Sequence, residues 1–250
     1  MSLPAKKTYQ NNTVYIYASQ SEMQAAAAES IIRYALDIIA NQPNFSIALS
    51  GGSTPKGVYQ NLIDKKNMDR FPWQQSIFIF GDERYVPHSD DQSNYKMALQ
   101  TFLNAAPVAE SAIYPVPTDC QNPDDCAEKY ANQISQTLGG DDMPIIDLVL
   151  LGMGNDGHTA SLFPNTAVLD QTDCAFAAVY VDKLESWRIS MTFPLIERAG
   201  QVMVLVAGED KSAILAEVLT SAEKKYPIQM FDSQNEIFWF VDQAAASQLA

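Results

Sequence analysis

The chain has 250 residues, 47% of them hydrophobic and 18% charged, which excludes wholesale disorder and allows a large buried core. Its 16 Lys and Arg against 30 acids give a net charge of −14, which argues against nucleic acid or an anionic membrane surface as partner. A small anionic ligand is not excluded, because it needs only a few local cations and backbone N–H groups.

The first seven residues run into the polar Tyr9-Gln10-Asn11-Asn12 without the apolar centre of a secretory signal, and residues 1–12 are expected to be loosely ordered. No stretch approaches the roughly 18 apolar residues of a membrane span, so a cytoplasmic protein is expected. Apolar, β-branched-rich runs predict strands over 13–18, 45–50, 76–81, 145–152, 187–193, 201–208 and 236–241. Several are continuous rather than alternating, as suits strands covered on both faces. Helical spacing falls between them at 21–40, 54–66, 93–103, 124–138 and 209–219, the first opening on Ser21-Glu22-Met23-Gln24 as a capping box. This alternation predicts an α/β fold in a single domain over 1–250, a mostly parallel sheet with helices on both faces. The stretch 105–122, with Pro107, Pro115 and Pro117, reads as a long surface connection. Cys120, Cys126 and Cys174 form no metal signature; Cys120 and Cys126 could bridge locally, but free thiols in a reducing compartment are the favoured reading.

Chemistry-bearing residues gather where predicted strands end. Ser50-Gly51-Gly52-Ser53-Thr54-Pro55 leaves one strand and enters a helix, with Ser53 or Thr54 as N-cap and Pro55 in the first helical position. Free N–H groups there suit a phosphate or carboxylate, although an ordinary strand-to-helix turn would look the same. Asp82, Glu83 and Arg84 follow the next strand, where open α/β sheets place ligands, with a solvated turn as the alternative.

The stretch 152–164 contains the literal Gly-x-Gly-x-x-Gly of a dinucleotide site. Asp156 inside the loop would repel a pyrophosphate, and Pro164 would cut short the helix that should follow. A tight loop presenting Asp156 and His158 fits better. Of the two histidines, His158 is the candidate for chemistry and His88, in a polar stretch, reads as a surface residue. Arg188 and Lys211, at two further strand ends, could clamp a phosphorylated substrate or be surface ion-pair partners, Glu209 and Asp210 lying next to Lys211. No pair of His, Cys or carboxylates has a zinc or magnesium spacing, so no metal is expected.

Together 49–55, 81–87 with Ser93-Asn94-Tyr95, 150–164, 188–192 and 239–245 resemble the family of 6-phosphogluconolactonases and glucosamine-6-phosphate deaminases, over about residues 14–246. The resemblance implies a Rossmann-like fold, no cofactor, and hydrolysis of 6-phospho-D-glucono-1,5-lactone in the pentose phosphate pathway. It implies His158 as general base, Asp156 and Asp82 as active-site carboxylates, Arg84 beside the substrate, and the 50–54 loop, Arg188 and Lys211 on the phosphate. Whether Asp156 or Asp82 orients the imidazole is open at this point, as is the choice of oxyanion donors between the 154–157 N–H groups and Arg84. Two positions depart from the family pattern: Phe80, where Trp is frequent, and 230–234, which lacks an expected proline.

Similar deaminases carry a glutamate five residues after the matching histidine; here that position is Phe163, which cannot transfer protons. The lactonase reading is therefore preferred over deaminase/isomerase activity or a non-catalytic sugar-phosphate-binding regulator. The expected partner is a small phosphosugar lactone, bound by a monomer or weak homo-oligomer.

Overall fold

A computed structural model of the chain describes residues 4–139, 143–232 and 236–249. The segment 230–234 falls partly beyond them, since Ser233 and Gln234 lie outside the described residues. Among the described residues the strands form two sheets. The larger contains β1 (Ala5–Tyr9), β2 (Asn12–Tyr17), β3 (Phe45–Leu49), β4 (Ser76–Phe80), β6 (Ile113–Tyr114), β7 (Leu148–Gly152), β10 (Gln201–Val206) and β11 (Ile237–Asp242). Their order is β1-β2-β11-β10-β7-β3-β4-β6, parallel throughout except for β1. Every residue of β3 is buried, as expected for an apolar strand covered on both faces.

The helices are α1 (Gln20–Ile39), α2 (Ser53–Leu62), α3 (Asn94–Ala98) running into a π-turn over Leu99–Leu103, α4 (Pro123–Leu138), α5 (Phe193–Glu197), α6 (Ser212–Thr220) and α7 (Pro227–Met230). The cap of α1 is Ser19, whose Oγ accepts from the Glu22 N–H, two residues before the expected Ser21. Residues 5–9 are an edge strand rather than a loose segment, since β1 pairs antiparallel with β2 from Ala5↔Ile16 to Tyr9↔Asn12. Its Lys6 and Lys7 hide a strand from composition-based reading, although charges are what an exposed edge requires.

The chain of crossovers diverges at the middle of this sheet. From β3 it passes through α2 to β4 on one side, and from β7 it moves on to β10 on the other. At such a switch point the loops leaving adjacent strands part and leave a crevice beyond their carboxyl ends. The smaller sheet stands over this end: β5 (Asp82–Arg84), β9 (Ser186–Met191) and β8 (Phe176–Val181), antiparallel in the order β5-β9-β8. It grows directly out of β4, with Gly81 donating to Leu49 O at 2.9 Å and accepting from Met191 N at 2.8 Å. Residues 82–84 are thus a strand and not a solvated turn.

Two readings of the 105–126 region change. Within the connection, Ile113–Tyr114 pairs with β4 as a short edge strand. Cys120 and Cys126 form a disulfide across 5.5 Å between Cα atoms, so they are not free thiols; Cys174 remains free. The six-residue separation brings them together because Cys126 sits in the first turn of α4, which Asn122 caps by accepting from Asp125 N at 2.9 Å. No helix among the described residues is long and apolar enough to cross a membrane.

Candidate active site

Two loops and a strand open on the crevice. The first follows β3. Gly52 adopts φ +100°, a conformation that L side chains rarely take, and is itself the N-cap of α2 in place of Ser53 or Thr54. No side chain caps this helix, which leaves early N–H groups available to an anion.

The second loop follows β7 and contains no helix, so the Gly-x-Gly-x-x-Gly pattern does not build a dinucleotide site. Its glycines make room instead. A Cβ on Gly154 would lie 2.0 Å from His158 Nδ1, and Gly157, at φ +70°, packs beneath Tyr226. Asp156 Oδ1 meets His158 Nδ1 at 2.5 Å and also accepts from the His158 backbone N–H at 3.3 Å. Lys183, in the turn between β8 and β9, donates to the other oxygen of Asp156. Burial alone would raise the Asp156 carboxyl, but the Lys183 and His158 hydrogen bonds outweigh it and hold it down to about 2. His158 is pushed below its ordinary value by burial, assisted by the Lys183 charge and opposed by Asp156. Its imidazole stacks on Phe163 with ring centres 3.9 Å apart.

The third wall of the crevice is the strand β5 with its surroundings. The Asp82 carboxylate accepts from Ser161 Oγ at 2.6 Å and from Asn94 Nδ2 at 3.1 Å. Glu83 is fully buried and accepts from the backbone N–H groups of Arg84, Asn94 and Tyr95 and from Ser93 Oγ, at 2.7–3.0 Å. Burial pushes its carboxyl up, against the pull of those N–H donors. Arg84 faces Arg188 across the β5–β9 pair, and the Nε atoms of both are buried without a hydrogen-bond partner. Burial pushes the Arg188 guanidinium down, opposed by Asp82 and reinforced by Arg84. Two adjacent guanidinium groups in the cleft lining offer the chemistry that an anion would need.

These elements enclose a cleft of about 290 Å³ lined by Ser50, Gly51, Gly52, Ser53, Thr54, Asp82, Arg84, His158, Arg188 and Lys211 among others. Asp156 is not in the lining; it reaches the site through the far nitrogen of His158. Lys211 donates to Asn155 Oδ1 and lies 3.6 Å from Asp210, so it joins the cleft while keeping a neighbouring acid. His88 is half-buried, not a surface residue: its Nε2 meets Val116 O at 2.8 Å and its ring packs edge-on to Tyr95. Asn94 and Lys183 escaped the sequence reading as site residues. Asn94 stood within a quoted motif without an assigned role, and no local pattern ties Lys183 to a loop 27 residues earlier. Among the described residues, no group of three or more His, Cys, Asp or Glu side chains is arranged to hold a metal ion.

The family model described as glucosamine-6-phosphate isomerases/6-phosphogluconolactonase matches residues 18–239. A 6-phosphogluconolactonase of Synechocystis sp. is 38% identical over 216 residues, 84% of this chain and 87% of its own. One of Nostoc sp. is 35% identical over 242 residues, 95% of this chain and 98% of its own. The solved 6-phosphogluconolactonase of Trypanosoma brucei superposes with a TM-score of 0.82 at 26% identity, covering 97% of this chain and 100% of that one.

Proposed function

Because the chain belongs to the glucosamine-6-phosphate isomerase/6-phosphogluconolactonase family, we propose that its cleft hydrolyses 6-phosphogluconolactone, in the pentose phosphate pathway, by water attack assisted by His158. The observation that carries this reading is the Asp156–His158 contact at 2.5 Å, beside a cleft also lined by the Arg84 and Arg188 guanidinium groups. Asp156 on Nδ1 fixes the tautomer with a proton on that nitrogen and leaves Nε2 as the basic one. Asp82 is held by Ser161 and Asn94, which favours Asp156 as the orienting carboxylate.

An imidazole kept below its ordinary pKa is neutral at physiological pH, the state a base requires. Nε2 takes a proton from water as its oxygen bonds to C1, and the carbonyl electrons move onto the carbonyl oxygen. Collapse of that tetrahedral species breaks the C1–ring-oxygen bond, and the proton passes to the departing ring oxygen. Arg84 is placed to stabilise the oxyanion, while Arg188, Lys211 and the 50–54 loop hold the phosphate, which positions the lactone beside the water.

The test is lactone hydrolysis above its spontaneous rate, measured beside ammonia release from glucosamine 6-phosphate. Phe163 occupies the place of the deaminase acid and is buried against His158, so lactone turnover without ammonia is expected. Ammonia release, or binding of the phosphosugar without turnover, would overturn the reading.

A further inference from the structure

We propose that Asn94 is the positioning residue of this site, a two-ended amide that sets the Asp82 carboxylate and the Arg84 guanidinium against each other. Its side chain is buried at the start of α3. Nδ2 donates to the Asp82 carbonyl at 2.9 Å and to its carboxylate at 3.1 Å, while Oδ1 accepts from Arg84 Nη1 at 2.9 Å. Only one amide orientation serves both ends, because a guanidinium can only donate and a main-chain carbonyl can only accept.

The amide is itself pinned. Its backbone N–H donates to Glu83 Oε1 at 2.7 Å, and Ser93 caps α3 by accepting from Lys96 N at 3.1 Å. On its other side it closes on the phosphate loop, since a Cβ on Gly51 would fall 2.1 Å from Asn94 Oδ1. Asn94 therefore touches both the loop after β3 and the strand β5, two parts of the cleft wall. Holding Arg84 by Nη1 and by the Gln92 carbonyl fixes the direction in which its remaining donors point.

Asn94→Asp tests this, because the isosteric acid keeps the acceptor for Arg84 and replaces the donor with a carboxylate facing Asp82. Two such groups hold their shape only with a shared proton, whose pKa is raised by the like charge, so the donor returns on acidification. Relative to the parent, kcat/KM of Asn94→Asp is expected to be at least about tenfold lower near pH 8, with the deficit shrinking about fivefold or more by pH 5.5. A pH profile parallel to the parent's would overturn the proposal. Asn94→Ala, which has no proton to regain, should lose about tenfold or more with a pH-independent ratio, and thermal unfolding of both variants checks the fold. Activity of Asn94→Ala within about threefold of the parent would also overturn it, and this arm stands if Asn94→Asp does not fold. The inference rests on the site reading above, and His158→Ala separates the two. An active His158→Ala defeats that reading, whereas an inactive one beside a parallel Asn94→Asp profile defeats the role of Asn94 alone.

Discussion

In the large sheet burial follows hydrophobicity: the residues of β3 and the middle of β7 and β10 are almost all apolar and inaccessible. In the small sheet burial runs against it, for Asp82, Glu83 and Arg188 are nearly as inaccessible and sit on three-residue and six-residue strands. Buried charges are costly unless bonded, and here the acids are fully bonded while the two guanidinium groups are not. The difference teaches which sheet is organised for stability and which for binding. One buries apolar side chains, and the other buries charge and leaves the Nε donors of Arg84 and Arg188 without a partner among the described residues.

The sharpest break in that contrast comes from the residue the small sheet serves. His158→Ala should lower kcat by roughly 10²–10⁴-fold with a smaller change in KM, whereas His88→Ala should leave kcat nearly intact, measured by the coupled hydrolysis assay. Burial holds the His158 pKa below its ordinary value, so protonation quenches the base only below about pH 6.5. The kcat–pH profile should therefore be level from neutrality down past that point and fall beneath it; a fall that begins above it would place another group in charge.

The large sheet should answer in the opposite way. Ile47→Ala, in the centre of fully buried β3, should cost about 2–5 kcal/mol in denaturant unfolding while kcat per folded molecule stays within about twofold. Arg188→Ala or Lys211→Ala should lose a charge-assisted bond of about 1.5–3 kcal/mol, roughly 10–150-fold in kcat/KM, on the phosphorylated lactone. Unphosphorylated gluconolactone never made that bond and should be little affected. An unchanged ratio between the two substrates would return phosphate recognition to the 50–54 loop. The smallest effect belongs to the disulfide. Its removal by reduction should cost about 2 kcal/mol, read as a lower unfolding midpoint, with activity of the folded enzyme retained.

The two sheets also differ in how much of them the sequence displays. The strands β3, β4, β7 and β10 fall within predicted apolar runs, because continuous hydrophobicity is a local signal. Phe176–Val181 and Asp82–Arg84 lie outside the predicted runs: the first carries two alanines and is partly exposed, and the second consists of charges stabilised by partners 10 or more residues away. The same holds in the site. The sequence displays Asp156 and His158 as site residues but leaves open whether Asp156 or Asp82 meets the imidazole, and Lys183 reaches Asp156, as Asn94 reaches Asp82, through a strand-to-strand turn and a helix start that no local pattern records. The disulfide was missed for a related reason: Cys spacing allowed it, but only the start of α4 fixes the distance.

The position of Asp82 in the cleft lining has a consequence for the last step of the proposed cycle. Ring opening turns a neutral ester into a carboxylate, so the ligand gains a negative charge while its phosphate is unchanged. On the proposed chemistry that charge appears in a cleft already lined by the Asp82 carboxylate, whereas Asp156 lies behind His158 with its own charge met by Lys183. If the proposed chemistry holds, the acid product should bind more weakly than the lactone, a difference that competitive inhibition by the acid would measure.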